Sequence, residues 1–426
     1  MEWYNLVSFA GIFVLLAIAW IVSPCRSNVN WRAVVWGLGI QLAAGLFIFV
    51  VLAEMPEKHN PFLIANNLVN VVIESSAAGA EFLFGSLTDE KKNGFIFAVQ
   101  ALPTIIFFSA LISILYFIGL MPWLIRQFAR LFTRLMKISG AESVCAAGNI
   151  FVGIESTLTI KPHLAKMTPS ELCTVLTAGM ATVASNVLAL YVFALQEKFP
   201  TIAAHLISAS VLSAPAAVVM SKMFIPETGS PETLGLDIKP HYHKDANLFE
   251  AIINGANSGI RLIVGIVALL VAVLGLVALA DAILGAFGNV VTLDINWSLK
   301  GLAGYICYPF ALIMGIPFED AGMVAQLLGQ RALETEVPAY FALSSAIESG
   351  KLHNPRSIVI ATYALCGFAH LASMAIFVGG TAAIAPAKTK MLSQIAFRAL
   401  LAATFACFLT ACVAGAFFMN SSLLLG

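Results

Sequence analysis

Long apolar runs dominate the chain, and an α-helix needs about 20 such residues in succession to cross a bilayer. Residues 4–23, 34–53, 97–121, 171–195, 201–224, 259–287, 357–383 and 397–420 meet that length, which predicts eight spans. The first is read as a span and not as a cleavable signal. Met1-Glu2-Trp3-Tyr4 offers no basic n-region, and the apolar run is too long for an h-region. Residues 60–92 mix apolar and polar positions, which predicts an interfacial segment. Within 124–137, Arg126, Arg130 and Arg134 recur four apart, while Phe128, Leu131, Phe132 and Leu135 fill the other face. That is the pattern of an amphipathic helix lying on a membrane surface. The long polar linker at 226–250, carrying Pro226, Gly229, Pro231, Gly235 and Pro240, divides the chain into halves.

Two apolar stretches are interrupted. Residues 139–168 contain Gly153, Glu155, Lys161 and Pro162; residues 299–346 contain Pro309, Gly315, Pro317, Glu319, Asp320, Gly329, Arg331, Glu334, Glu336 and Pro338. Neither fits one smooth helix. Each is predicted to be a re-entrant hairpin, tolerated where protein or water covers its exposed backbone. An internal repeat accompanies them. Gly179-Met-Ala-Thr-Val-Ala-Ser185 matches Gly367-Phe-Ala-His-Leu-Ala-Ser373 at Gly, both Ala and Ser, and each heptad follows a broken segment with an acidic residue. Under the span count the two units run in opposite directions. Paired interrupted segments in inverted halves point to a secondary transporter with its site at the midplane.

Composition agrees. Hydrophobic residues make up 60% of the chain and charged ones 11%, with a mean hydropathy of +0.91. A soluble domain carries about a quarter charged residues, so lipid is the solvent for much of this chain. The net charge is zero, which gives no basic footprint for nucleic acid. The seven cysteines are scattered through apolar runs and read as small packed hydrophobes. Four groups of cations fall on one face under the alternation: Arg26 and Arg32; Arg126, Arg130, Arg134 and Lys137; Lys222, Lys239, Lys244 and Arg261; and Lys388, Lys390 and Arg398. The positive-inside rule makes that face cytoplasmic and puts both termini outside, with Lys351 and Arg356 counting against it.

An acidic side chain at the bilayer centre costs about 2.5–3.5 kcal/mol on insertion scales, so a partner must offset it. Glu155 is either a solute or ion contact at the first hairpin or the partner of a residue such as Lys161. Glu336, beside Glu334 and ahead of Pro338, is either a hydroxyl-binding carboxylate or the partner of Arg331, a role Glu334 can also take. His370 and Ser373, three apart, share a helix face. Asn149 and Asn186 offer neutral oxygens that suit a hard monovalent cation, or hydrogen bonds between helices. His205, Phe151 and Tyr191 are assigned to packing, and Phe368 to packing or to padding an apolar ring. No HExxH, GxSxG or P-loop is present, so no enzyme is expected.

With these residues on the page, the chain resembles the concentrative nucleoside transporter family. The likeness lies in Phe-Val-Gly…Glu-Ser…Ile-Lys-Pro (151–162), Thr-Ala-Gly-Met-Ala-Thr-Val-Ala (177–184), Ser-Ala-Pro-Ala (213–216) with Pro-Glu-Thr (226–228), Leu-Leu-Gly (327–329) and Ala-Thr-Tyr-Ala-Leu-Cys-Gly-Phe-Ala (361–369). The resemblance implies an all-α polytopic membrane protein with eight spans and two re-entrant hairpins. It implies a homotrimer in the bacterial cytoplasmic membrane that imports nucleosides with Na+ or H+ by an elevator motion, without a cofactor. It further implies that Glu155 meets the base, that Glu336, Ser373 and Phe368 stand on the ribose side, and that Asn149 and Val152, with Asn186 and Val187, form the sodium site. Three departures stand out. The family's Gly-Gln-Thr-Glu is shortened to Gly153-Ile154-Glu155, the Asn before the second glutamate is Thr335, and the asparagine of the last broken span is His370. These predict altered base selectivity or another hydroxylated cargo, and His370 opens proton coupling. The expected organisation is a scaffold over 1–95, a first repeat over 96–225, a cytoplasmic linker over 226–258 and a second repeat over 259–426.

Overall fold

A computed structural model of the chain describes residues 3–242, 244–291 and 296–419; Met1, Glu2 and His243 lie outside these. The described residues are helical, and the one extended pairing among them is an isolated bridge between Ser139 and Leu234. Helix α1 (Trp3–Val22) is followed by α2 (Trp31–Leu46), which continues into a π turn over Phe47–Val51. Then come α3 (Pro61–Phe84), α4 (Pro103–Phe117) and the amphipathic α5 (Leu120–Met136).

The bundle has a basic end. Arg32 Nε donates to Leu135 O at 3.2 Å. Arg126 and Arg130 pair with Asp237 at 3.2 and 2.9 Å, Lys166 with Glu232 at 2.7 Å, and Lys388 Nζ donates to Met167 O at 2.8 Å. Members of all four cation groups thus sit together, Lys222 through Glu142 at 2.7 Å, except Arg261, which stands well inside the helix Leu248–Val291, near Gly259. Of the two cations that count against the cytoplasmic face, Lys351 is an exposed charge, whereas Arg356 is no loop charge: it is fully buried and donates to Gly315 O, Asn5 Oδ1, Tyr4 O, Ser8 Oγ and Gly415 O at 2.6–2.9 Å.

Although α3 is long and apolar enough to cross a membrane, it does not traverse the bundle. Its Asn66 bonds to Pro200 O and to the Ala204 N–H, away from the basic end, and the chain after it brings Phe95 against Phe193 and Phe341 toward that same side, each at 5.3 Å. A helix that begins and finishes on one side lies along it, as its mixed polarity predicts.

The first hairpin descends through α6 (Gly140–Gly148), turns at residues 149–153 and returns through a 3-10 segment, Ile154–Ile160. Both ends are held at the basic side, by Gly140 N–H on Thr233 O (2.8 Å) and by the Lys166–Glu232 pair. Helices α7 (Pro169–Ala181) and α8 (Ser185–Leu195) form one interrupted span, and α9 (Ile202–Phe224) completes the half. The linker is not a free loop. Its residues 233–241 bond to Ile138, Gly140 and Thr159 of the hairpin, and the Tyr242 ring meets Tyr116 at 6.2 Å. Helix α10 (Leu248–Val291) is longer than the expected 259–287. It approaches α4 through Gly255 and Gly259, where a Cβ would stand 2.7 Å from the backbone of Ala110 and Ile106.

Residues 299–346 are not one hairpin, a correction to the sequence reading. Helix α11 (Leu299–Ile313) is a separate helix that packs back along α12 (Phe318–Leu333), with Gly329 against Ala303 and Gly304, because Gly315 (φ +80) and Pro317 turn the chain between them. The hairpin proper is α12 with α13 (Glu336–Glu348), joined by Glu334 and Thr335. Its base lies away from the basic end, where Asp320 accepts the His353 and Asn354 amides at 3.1 Å and Lys198 meets Glu348 at 3.5 Å. The interrupted pair α14 (Pro355–Leu365) and α15 (Leu371–Ile384) follows, then α16 (Thr389–Phe417). Hairpin, interrupted span and full span therefore recur with their direction reversed. The breaks differ in register: α7 runs past Gly179 to Ala181, whereas α14 stops at Leu365, ahead of Gly367. Each glycine is fixed by its surroundings. Phe377 lies over Gly179, and Gly367 has φ +139, with a Cβ there falling 2.8 Å from Ala181 O and Cys407 Sγ.

Candidate functional site

Each hairpin tip is built by local chemistry. Ser139 and Glu142 form a capping box that starts α6, and the small residues that follow let all nine of its positions be buried. Asn149 then leaves the helix with its Nδ2 on Cys145 O at 3.0 Å. The turn is tied to the neighbouring interrupted span by Ser185 N–H on Phe151 O (3.0 Å) and to α9 by Ser210 Oγ on Ile150 O (2.9 Å). At the other tip, Glu336 opens α13, where a carboxylate is favoured by the helix dipole, and Pro338 sits in the first turn, where no N–H is needed.

The tips and the breaks line one cavity, open on one side. Ile154, Glu155, Asn186, Val187, Thr335, Glu336, Phe368, His370 and Ser373 all line it. Asn149 and Val152 do not; they lie buried behind the tip of the first hairpin. Helix α10 forms one wall with Leu262, Ile266, Leu269 and Leu270, positions read from the sequence only as part of a span.

Glu336 is 4% exposed, hydrogen-bonded on one oxygen and in close contact with an imidazole on the other. Tyr191 donates its hydroxyl to Oε1 at 2.8 Å, and His370 Nε2 lies 2.7 Å from Oε2, off the ring N–H axis. His370 is not a member of the helix face it was expected to share. It is the N-cap of α15, and its Nδ1 accepts the Ser373 amide N–H at 3.2 Å while Nε2 meets Ser373 Oγ at 2.8 Å. Tyr191, assigned to packing from sequence, is therefore part of the site. The available signal was its place one turn beyond Val187 on the same helix.

The structural alternatives for the two acids are absent among the described residues. Arg331 pairs with neither glutamate; it donates to Ala364 O at 2.5 Å and faces the Phe408 ring. Glu334 accepts from Gln330 Nε2 at 2.7 Å. Neither Glu155 nor Lys161 enters an ion pair. Glu155 instead projects into the cavity from a 3-10 turn. Ile154, where the family has polar residues, packs on Gly380 of α15. Asn149 Oδ1, Asn186 Oδ1 and Thr335 Oγ1 are buried without a protein hydrogen-bond partner. Buried oxygens of this kind carry a desolvation cost of about 1–3 kcal/mol each, which a bound cation or solute donor offsets.

Three family profiles match the chain: the N-terminus of Na+-dependent nucleoside transporters over residues 10–87, a gate domain of nucleoside recognition over 98–198, and the Na+-dependent nucleoside transporter C-terminus over 205–415. Solute carrier family 28 member 3 of Mus musculus is 39% identical over 96% of the chain. Sodium/nucleoside cotransporter 1 of Rattus norvegicus is 36% identical over 96% of it. The chain spans 58% and 63% of the lengths of these two relatives. Among solved structures, CNTnw in an inward-facing substrate-bound state superimposes with a TM-score of 0.87 at 33% identity, covering 97% of this chain and 98% of that one. A CNTnw variant in an intermediate state gives 0.88 at 32% identity, covering 99% and 100%.

Proposed function

The chain belongs to the Na+-dependent nucleoside transporter family, and from that premise we propose that it imports nucleosides across a cytoplasmic membrane by cation symport. The observation that carries this reading is the pair of glutamates, one from each inverted half, that face one cavity between the hairpin tips. Glu336, with its orientation set by Tyr191 and His370, keeps lone pairs for sugar hydroxyls. Glu155, with no protein cation beside it, accepts from the base. Val187, Phe368 and Phe377 give the apolar surface against which a base or ribose packs. Ile154 leaves the base end poorer in donors, which favours loose discrimination among bases.

Sodium is the coupling ion in this reading, held by the oxygens of Asn149 and Asn186 and by backbone carbonyls at Val152 and Val187. The His370–Glu336 contact favours a proton as the second candidate, since a histidine beside a carboxylate inside a membrane is a natural relay. The hairpins with their interrupted spans form the moving body, and α4 and α10 the frame against which it slides. The uncovered apolar length of α10 is the surface for a homotrimer, and the basic end faces the cytoplasm.

Uptake of labelled uridine and adenosine into proteoliposomes, with a sodium gradient, a proton gradient or neither, tests the proposal. Gradient-driven accumulation of intact nucleoside is expected. Failure of both nucleosides to accumulate under either gradient, while another polyol enters, would transfer the function to that solute.

A further inference from the structure

Helix α8 touches both proposed sites. Its first turn carries Asn186 and Val187 and is bonded to the first hairpin through Ser185 N–H on Phe151 O. Five residues on, about 7.5 Å along the axis, stands Tyr191. Tyr191 is 1% exposed and does not line the cavity. Its ring is stacked on Tyr340, with centroids 4.5 Å apart and planes at 21°. Tyr340 is itself fixed through its hydroxyl on Thr362 O at 2.9 Å. The Tyr191 hydroxyl has one direction left to it, and it spends its proton on Glu336 Oε1 at 2.8 Å. This bond joins the first half of the chain to the second across 145 residues.

We propose that Tyr191 is a positioning residue that couples the two ligands: the Tyr191–Glu336 hydrogen bond makes the solute carboxylate sense whether the cation is bound at Asn149 and Asn186. A cation drawing on the oxygens of Asn149 and Asn186 sets the first turn of α8 against the hairpin. A short rigid helix passes that setting to Tyr191, and the hydroxyl passes it to Glu336. Linkage is reciprocal, so solute bound at Glu336 raises cation affinity by the same factor. The inference rests on the cation-coupled reading above and adds the bond that carries the coupling.

The test uses the full chain in lipid nanodiscs and measures uridine affinity in sodium chloride and in choline chloride at equal ionic strength. The wild-type ratio of affinities is expected to be on the order of tenfold, within the usual range of coupling. Tyr191→Phe keeps the ring stack and removes the proton donor, and should reduce the ratio to about twofold. Tyr340→Phe loses the hydroxyl bond to Thr362 O but keeps the stack and the Tyr191 donor, and should lower the ratio less than Tyr191→Phe does. Replacing Tyr191 by 3-fluorotyrosine, a stronger donor of nearly the same shape, should keep or raise the ratio, and it provides a reading even where the phenylalanine variant does not purify. An unchanged ratio in Tyr191→Phe, or an equal collapse in Tyr340→Phe, overturns the assignment while leaving symport intact. A wild-type ratio of one overturns both this inference and sodium coupling.

Discussion

His370 Nε2 lies 2.7 Å from Glu336 Oε2 while Nδ1 of the same ring accepts the Ser373 amide at 3.2 Å. One imidazole thus caps α15 and faces the carboxylate of the other tip, and neither contact leaves the ring free to turn. Asparagine is among the best N-caps, so His370→Asn keeps the cap and a donor, and uridine affinity should fall by less than about tenfold. His370→Ala loses the cap, at about 1 kcal/mol, together with the polar neighbour of Oε2. It should lower both the melting temperature and uridine affinity, read by differential scanning fluorimetry and calorimetric titration. Equal behaviour of the two variants would remove the cap from the account.

The two acids are separable by analogue. Glu336→Gln should erase the discrimination between uridine and its deoxysugar analogues. Glu155→Gln should preserve that discrimination while lowering affinity by about tenfold or more, the size of a lost bond to a charged group. Competition binding with the analogues decides, and unchanged affinity in either variant takes that residue out of the site.

Gly367 is required twice over, by φ +139 and by the 2.8 Å approach to Ala181 O and Cys407 Sγ. Gly367→Ala should therefore cost more than the 1–3 kcal/mol of a strained backbone alone and abolish uptake. Gly350→Ala, at φ +65 with open space around it, should cost about 1–2 kcal/mol and leave transport measurable. Thermal unfolding and uptake of the two variants, side by side, separate conformation from crowding.

Arg356 spreads its donors over α1, the turn before α12 and the end of α16. Lysine is a point charge without the planar fork. Arg356→Lys should therefore destabilise by about 2–4 kcal/mol, since several bonds to a charged group are lost at a buried position. A melting temperature within a degree or two of the wild type would show that the fork is dispensable.

Asp237 supplies the one pH prediction. Partial burial pushes its carboxyl up, but hydrogen bonds from Arg130 and Arg126 outweigh this and hold it below its ordinary value. A carboxyl lowered in the folded state contributes stability above its unfolded pKa and loses it as pH falls through the folded one. The pair is largely solvated, so the gain is at most about 1 kcal/mol. Asp237→Asn should melt slightly below the wild type at neutral pH, and the gap should close below about pH 4. A gap that persists in acid would assign the loss to packing.

Much of this was legible in the chain. Span lengths, the basic face and the two interrupted stretches follow from hydropathy and charge, because a bilayer penalises every departure from them. The inverted repeat was visible in seven residues. Its register was not, because a helix break is set by neighbours such as Phe377 and Cys407 that lie far off in sequence. The second hairpin was drawn too long for a related reason: α11 is as apolar as a hairpin arm, and only the Gly315–Pro317 turn sets it apart. Nine of the candidate residues meet in one cavity, yet Tyr191 escaped notice. A tyrosine in an apolar helix carries no sign of what its hydroxyl will find, and here the acceptor belongs to the other half. Arg356 misled the charge count because side-chain burial cannot be read from a loop-like neighbourhood.

The linker pinned under the first hairpin has a practical consequence. Residues 233–241 belong to the first half by their main-chain bonds, so the covalent seam between the halves is only the few residues around Lys244. A gene cut at that point would yield two polypeptides, each with its own hairpin and interrupted span. The antiparallel crossing of α9 and α16, with Ser213 against Thr410, would hold them together as a two-chain carrier. Cargo, ion and voltage would then act on a heterodimer whose pieces can be labelled, mutated or withheld one at a time.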